Sequence, residues 1–120
     1  MLLTVDKICE ALSEEGVDTL SIVPRPDIKE LRQKGGASVD LRLGRWFSTI
    51  RQSSSPYIDV DDEKPIAISS KSYFVPFDGR FFLHPGRFVL GITLEWIRLP
   101  ANIAAYVTGK SSWGRRGLII

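Results

Sequence analysis

The most informative stretch of this chain is Gly109-Lys110-Ser111-Ser112-Trp113-Gly114-Arg115-Arg116-Gly117-Leu118. Three glycines, two adjacent serines and three cationic side chains fall within these ten residues. Glycine permits positive φ and lets backbone N–H groups approach an anion closely, and serine, lysine and arginine add donors for phosphate oxygens. The pattern indicates an anion-binding loop, although its residue order is not that of a Walker A loop. From the residues alone, a tight turn between two strands with a solvated basic edge is the alternative.

Short strands and turns dominate the rest of the chain. Alternating or β-branched and aromatic residues predict strands at 20–23, 37–46, 57–60, 72–77, 80–83, 87–97 and 103–108, with another beginning at 118. Asp78-Gly79 and His84-Pro85-Gly86 are typical of turns, which favours a turn residue over a general base for His84. Gly44 is expected to form a bulge or bend. This spacing of strands and turns predicts a small distorted β-barrel or sandwich.

One helix is clear from the sequence, at residues 4–15. Val5, Ile8, Cys9 and Leu12 recur at helical spacing and form one apolar stripe. Thr4 is expected to cap its start and a glycine to end it, so that Cys9 lies on the buried face. Residues 27–34 are expected to form one irregular helical turn.

Composition limits the classes of function. A chain of 120 residues with a net charge of +2 predicts a single domain over 1–120 and gives no indication of nucleic-acid binding. It contains no apolar run of membrane-spanning length and no signal peptide, so no membrane partner is expected. Cys9 is the only cysteine, which favours the cytoplasm.

The same composition excludes two metal sites. Zinc nucleobase deaminases need a ligand set of histidine and cysteines, and Cys9 and His84 cannot supply it, so we expect no zinc. The acidic run at 61–63 lacks the spacing of a calcium loop.

Several motifs carry a resemblance to a known family. They are Val23-Pro24-Arg25-Pro26, residues 37–44, Phe82-Leu83-His84-Pro85-Gly86, Ile92-Thr93-Leu94-Glu95, Leu99-Pro100-Ala101 and the stretch at 109–118. In this order they resemble the dCTP deaminase family of the dUTPase-like superfamily, whose signature reads Gly-Arg-Ser-Ser-Leu-Ala-Arg-Leu-Gly-Leu. The resemblance covers effectively the whole chain. It implies a mainly β fold, a dUTPase-like distorted β-barrel (β-clip) with one N-terminal helix, assembled as a homotrimer.

The resemblance also implies an activity and a site. Members convert dCTP and water into dUTP and ammonia, with dTTP as a possible regulator. By similarity, Lys110, Ser111 and Ser112 hold the triphosphate, which carries Mg²⁺. Ser111 helps to orient the attacking water, and Arg115 lies near the pyrimidine, so these two are the predicted catalytic residues. Asp40 matches an aspartate near the nucleotide, for which we expect a supporting rather than a directly catalytic role.

The chain departs from the family signature at several positions. Lys110 replaces an arginine, Trp113 and Gly114 replace Leu-Ala, and Arg116 replaces a leucine. Trp113 is expected either to stack on a base or a partner chain or to pack in the interior. Glu95 matches a family glutamate of structural use.

The family's general-base glutamate lies further along than Ile120, and nothing in 1–120 matches it. Two alternatives therefore stand beside deamination. They are a catalytically inactive fragment that binds nucleotide and trimerises, and a dUTPase-like pyrophosphatase.

Overall fold

The computed structural model describes residues 1–50 and 70–120. Within them the elements, in chain order, are α1 (Val5–Ser13), β1 (Ser21–Val23), α2 (Ile28–Lys34), β2 (Leu43–Ile50), β3 (Ser70–Phe74), β4 (Val89–Thr93), β5 (Trp96–Arg98) and α3 (Ser111–Gly114). All strand pairs are antiparallel, which confirms the prediction of a mainly β fold. The strand predicted at 57–60 and the acidic run at 61–63 lie outside the described residues.

The chain divides into two compact units. One consists of Met1–Val39 with Trp96–Ile120, and the other of Asp40–Glu95. Among residues 1–50 and 70–120, each unit contains one sheet: β1 pairs with β5 in the first, and β3-β2-β4 form the second. The single domain over 1–120 stays a prediction.

The predicted helix is present as α1, and its apolar stripe forms the core of the first unit. Val5, Ile8, Cys9 and Leu12 are buried, with Cys9 only 1% exposed. They pack with Leu20, Ile22 and Leu31. Thr4 is the N-cap residue, as predicted, and has extended backbone geometry, but its side chain makes no capping hydrogen bond.

The segment predicted as one irregular turn is a capped helix, α2. Asp27 Oδ1 accepts hydrogen bonds from the backbone N–H groups of Lys29 and Glu30 at 2.8 and 3.2 Å. At the other end Gly35 has φ +67° and donates to the carbonyls of Leu31 and Arg32. Both ends therefore carry the chemistry that stabilises a helix, and the segment is a regular helix of 7 residues in place of the predicted irregular turn.

Three strands form the sheet of the second unit. β2 is its central strand, and Phe47 pairs with Tyr73 on one side and Gly91 on the other. Phe47 is buried and stacks on Phe81 with ring centroids 4.4 Å apart. Phe81 belongs to a segment predicted as a strand, 80–83, which has no strand structure.

Gly44 marks an irregularity in β2, as predicted. The register between β2 and β4 shifts between Leu43 and Phe47. A Cβ atom on Gly44 would lie 2.8 Å from the carbonyl oxygen of Ile92, closer than a carbon atom tolerates. The absence of a side chain therefore permits the close approach of the two strands.

Both predicted turns are confirmed. The N–H of Gly79 donates to the carbonyl of Pro76 at 3.0 Å, and Asp78 adopts φ +62°. The N–H of Arg87 donates to the carbonyl of His84 at 3.2 Å, which makes His84 a turn residue.

Other predicted strands differ in extent from the observed ones or are not formed. β2 begins at Leu43 rather than at 37, and residues 103–108 and 118–120 form no strand. The strand predicted over 87–97 is two strands, because the chain bends at Leu94 and Glu95 between β4 and β5.

Candidate anion-binding site

The stretch predicted as an anion-binding loop contains a single helical turn, α3. Its first turn is closed by backbone bonds from Trp113 and Gly114 to the carbonyl of Lys110, at 2.9 and 3.0 Å. The N–H of Arg115 then donates to the carbonyl of Ser111 at 3.0 Å, and Arg115 keeps helical dihedral angles. The residues of the stretch are therefore arranged around a helix axis rather than along an open loop.

Gly117 ends this turn through a Schellman motif. Its φ is +89°, its N–H donates to the carbonyl of Gly114 at 3.0 Å, and the N–H of Leu118 donates to the carbonyl of Trp113 at 3.1 Å. This pair of bonds satisfies carbonyls that would otherwise lack partners at the helix end. Of the three glycines of the stretch only Gly117 uses the positive φ that glycine permits.

The turn brings three of the predicted site residues together. Arg115 follows Ser111 by four positions and Ser112 by three, and residues at these spacings are neighbours on a helix surface. All three side chains are exposed. Two hydroxyls and a guanidinium are therefore exposed on the same helical turn, where they can donate hydrogen bonds to an anion.

Lys110 precedes this turn as its N-cap residue. It is exposed, has extended backbone geometry, and makes no side-chain capping bond. Its ammonium is a compact point charge on a residue next to the first turn. Lys110, Ser111, Ser112 and Arg115 thus form one exposed group of donors with two cations, which we call the serine–arginine turn.

Trp113 and Arg116 occupy a neighbouring part of the same turn. The guanidinium carbon of Arg116 lies 5.3 Å from the centre of the Trp113 ring, within cation–π distance. Trp113 is 50% exposed, so the expectation of interior packing is wrong within this chain. Stacking of Trp113 on a base or a partner chain stays a prediction.

The serine–arginine turn is suited to an anion rather than to a bound metal ion. In residues 1–50 and 70–120, no three His, Cys, Asp or Glu side chains come together in an arrangement that could hold a metal. A cleft of about 450 Å³ in the same unit is lined by residues of α1, β1 and β5 and by none of 109–118. The chemistry of the stretch is therefore that of an exposed cationic surface.

Asp40 belongs to the other unit, Asp40–Glu95. It is exposed and precedes β2 rather than lying within it. Its supporting role at the site stays a prediction.

Glu95 has a structural position that the sequence indicated only by resemblance. Its carboxylate accepts hydrogen bonds from Arg42 Nε at 2.7 Å and from the backbone N–H of Arg42 at 2.9 Å, and the residue is 8% exposed. Burial by itself would raise the pKa of Glu95, but the bonds and charge of Arg42 outweigh it and hold that pKa below its ordinary value. The N–H of Leu94 also donates to the carbonyl of Arg42, at 2.8 Å, so the bend after β4 is bound to the segment before β2.

Arg25, from the Val-Pro-Arg-Pro motif, also has a structural contact. Its Nη2 donates to the carbonyl of Leu12 at 2.8 Å, near the end of α1. A cation at this position donates to a terminal helix carbonyl and is attracted to the negative end of the helix dipole. Periodicity could not have located this contact, because thirteen residues separate the partners.

No helix in residues 1–50 or 70–120 is long and apolar enough to cross a membrane.

Comparison with known proteins identifies similar sequences along almost the whole chain. A family model described as dCTP deaminase-like matches residues 3–120. The chain is 39% identical to a dCTP deaminase of Glaesserella parasuis over 96% of its length and 41% identical to one of Actinobacillus succinogenes over 89%. It is 35% identical to a dCTP deaminase of Haemophilus influenzae over 95% of its length. The chain spans about 60% of the length of these relatives.

Proposed function

Because the chain belongs to the dCTP deaminase-like family, we propose that its serine–arginine turn binds the triphosphate of dCTP. The reaction served is the conversion of dCTP and water into dUTP and ammonia. The observation that carries this proposal is that Ser111, Ser112 and Arg115 are all exposed and belong to one helical turn, with Lys110 as its N-cap residue. Hydroxyl and guanidinium donors in that arrangement match the oxygens of a polyphosphate.

The charge of the turn supports a triphosphate over a neutral ligand. Lys110 and Arg115 carry two positive charges, and a triphosphate presents several negative oxygens to them. The triphosphate would arrive with Mg²⁺ as part of the substrate, and the turn, which is rich in donors and contains no carboxylate, is compatible with that. Lys110 contributes a point charge to phosphate binding in place of a bidentate fork.

The chemistry assigned to the turn is positioning and electrostatic stabilisation. Ser111 is proposed to hold a phosphate oxygen and to orient the water that attacks C4 of the pyrimidine. Arg115 is proposed to stabilise the negative charge that develops on the pyrimidine as the water adds to C4. Neither group is a good proton acceptor at neutral pH, so a separate general base has to take the proton from water and pass it to the leaving amine.

This division of labour predicts that residues 1–120 bind nucleotide but do not turn it over. Positioned acid–base catalysis typically contributes about 10²–10⁴-fold to a rate. We expect release of ammonia from dCTP by the 120-residue chain to be negligible, and a longer form that supplies the base to deaminate dCTP. Release of pyrophosphate from dUTP by either form would instead favour the pyrophosphatase alternative.

The binding step is tested by titration calorimetry of the chain with dCTP and Mg²⁺. Ser111→Ala is expected to weaken binding by about 1–3 kcal/mol, because a donor to a charged oxygen is lost. Arg115→Ala should weaken it as well. Ser38→Ala and Arg87→Ala, which change exposed residues outside the turn, serve as matched controls and should leave the dissociation constant unchanged. Equal effects of the turn variants and the controls would contradict the proposal.

Assembly as a homotrimer is proposed on a separate observation, an exposed apolar face of the second unit's sheet. Because side chains alternate along a strand and Trp46 pairs with Phe74, these two lie on the same face as Ile50 and Leu90. Each of the four is at least 50% exposed. Apolar surface of this kind is typical of an interface between subunits. Sedimentation that finds only monomer at micromolar concentration would contradict a homotrimer.

A further inference from the structure

The pair formed by Trp113 and Arg116 adds a second guanidinium to the serine–arginine turn. The N–H of Arg116 donates to the carbonyl of Trp113 at 2.9 Å, a bond between residues three apart. Such bonds tighten a helix toward three residues per turn, and side chains three apart then lie almost above one another. This geometry places the guanidinium of Arg116 5.3 Å from the centre of the Trp113 ring.

The backbone N–H groups of Arg115 and Arg116 donate to different residues of the turn. The N–H of Arg115 bonds to Ser111, four residues back, whereas the N–H of Arg116 bonds to Trp113, three residues back. Arg115 lies four positions after Ser111 and is therefore on the same side of the turn. Arg116 follows Ser112 by four positions and Trp113 by three, so its Cα lies between theirs around the axis.

We propose that Arg116, held by Trp113, is a second phosphate-binding arginine of the turn, which lets the turn bind a polyphosphate with two guanidinium groups. Ser111 with Arg115 and Ser112 with Arg116 would contact different phosphate groups of one chain. A di- or triphosphate offers more oxygens to the two pairs than a single phosphate does, so we expect the gain to be larger for the polyphosphates. This inference rests on the proposed function of the turn and names the polyphosphate chain as what Arg116 recognises.

Trp113 acts in this proposal by positioning Arg116 rather than by touching the ligand. A free arginine side chain loses rotamer entropy when it is fixed on an anion. An arginine that already lies over an indole loses less, and a cation–π contact at an exposed site contributes about 0.5–1 kcal/mol. The ring is half exposed, so one side of it is in contact with solvent while the guanidinium is held.

The test measures binding of inorganic tripolyphosphate, dCTP and inorganic phosphate to the 120-residue chain and three variants at low salt. Arg116→Leu should weaken tripolyphosphate and dCTP binding by about tenfold, because a charge-assisted bond is lost. Binding of inorganic phosphate should change much less. Trp113→Leu should weaken the two polyphosphates by about two- to fivefold, as expected for an exposed cation–π contact. In the double variant Trp113→Leu should add nothing, because Arg116 is no longer present to be positioned.

The outcomes separate this inference from the proposed function. If Ser111→Ala weakens dCTP binding and Arg116→Leu does not, the turn binds nucleotide without Arg116 and the inference is overturned alone. If tripolyphosphate binds through Arg116 and dCTP does not bind, the inference stands and the nucleotide proposal falls. If neither ligand binds to a chain whose circular dichroism shows it folded, both are overturned. An additive effect of the two substitutions in the double variant would overturn the positioning role of Trp113.

Discussion

Glu95→Gln tests whether the bend between β4 and β5 depends on one buried carboxylate. Both oxygens of Glu95 accept hydrogen bonds from Arg42, one from Nε at 2.7 Å and one from the backbone N–H at 2.9 Å. A glutamine has one acceptor oxygen, and its NH₂ group would face the second donor. One buried polar group then loses its partner, which typically costs about 1–3 kcal/mol.

The ionic attraction between Glu95 and Arg42 contributes less to the free energy of unfolding than the short distance between them suggests. The side chain of Arg42 is 64% exposed, so solvent screens the attraction, whereas that of Glu95 is 6% exposed. We therefore expect Glu95→Gln to lower the free energy of unfolding by about 1–3 kcal/mol, mainly through the unpaired donor. For a chain of this size that is a fall in melting temperature of roughly 5–15 °C.

The effect of the substitution should depend on pH in a defined direction. The pKa of Glu95 is lower in the folded protein than its ordinary value of 4.5. A carboxyl with a depressed folded pKa contributes stability that is present above its unfolded pKa and is lost as pH falls through the folded pKa. The difference between the wild-type chain and Glu95→Gln should be constant near neutral pH and shrink below about pH 4.5.

The assay is chemical denaturation of both chains at several pH values, with Glu10→Gln as the matched control. Glu10 also accepts from a cation at 2.7 Å, from Lys7, but its side chain is 55% exposed. Because water replaces the contact there, Glu10→Gln should change stability little. The reasoning is refuted if Glu95→Gln is no more destabilising than Glu10→Gln, or if its effect is the same at acidic and neutral pH.

Three further predictions concern local backbone features and metal content. Gly44→Ala should destabilise the chain by about 1–3 kcal/mol in a denaturation experiment, because the new Cβ would lie 2.8 Å from a backbone oxygen of β4. The control is Gly114→Ala, where a Cβ has no neighbouring atom within 4 Å, and its stability should change little. Asp27→Ala should cost about 1 kcal/mol through loss of the N-cap of α2, and Asp27→Asn, which keeps a capping oxygen, should recover most of it in the same assay. Metal analysis should find no stoichiometric zinc, and a chelator should leave the melting temperature unchanged; one tightly bound zinc per chain would show that the argument from ligand number is wrong.

The sequence pattern was sufficient to predict those elements whose structure depends on their own residues. The apolar spacing of Val5, Ile8, Cys9 and Leu12 predicts α1 and its buried face, because helix periodicity is a property of neighbouring residues. Gly44 and the two turns were likewise predicted from single residues whose backbone requirements are specific. The composition of 109–118 indicated an anion-binding loop or a solvated basic turn, and in the structure Ser111, Ser112 and Arg115 are exposed residues of one helical turn.

Strand limits were less predictable, because a strand exists only where a partner accepts its hydrogen bonds. Residues 80–83 have the composition of a strand, yet Phe81 packs on Phe47 from an irregular segment. The segment from 87 to 97, which is rich in β-branched and aromatic residues, contains two strands in different sheets, since the bend at Leu94 and Glu95 has bonds to Arg42. Local propensity does not include such distant partners.

The sequence by itself determined the family, the main helix and the donor chemistry of the stretch at 109–118. Residue identities are enough for these, because they follow from motifs and from side-chain chemistry. Only the tertiary structure decided that this stretch is a helical turn closed by Gly117, with Arg115 on the side of Ser111 and Arg116 over Trp113. It also decided that Glu95 is bound to Arg42, fifty-three residues away in the chain. Hydrogen bonds and ring contacts form between residues that are close in the folded chain. The spacing of residues along the sequence does not specify which distant residues come close.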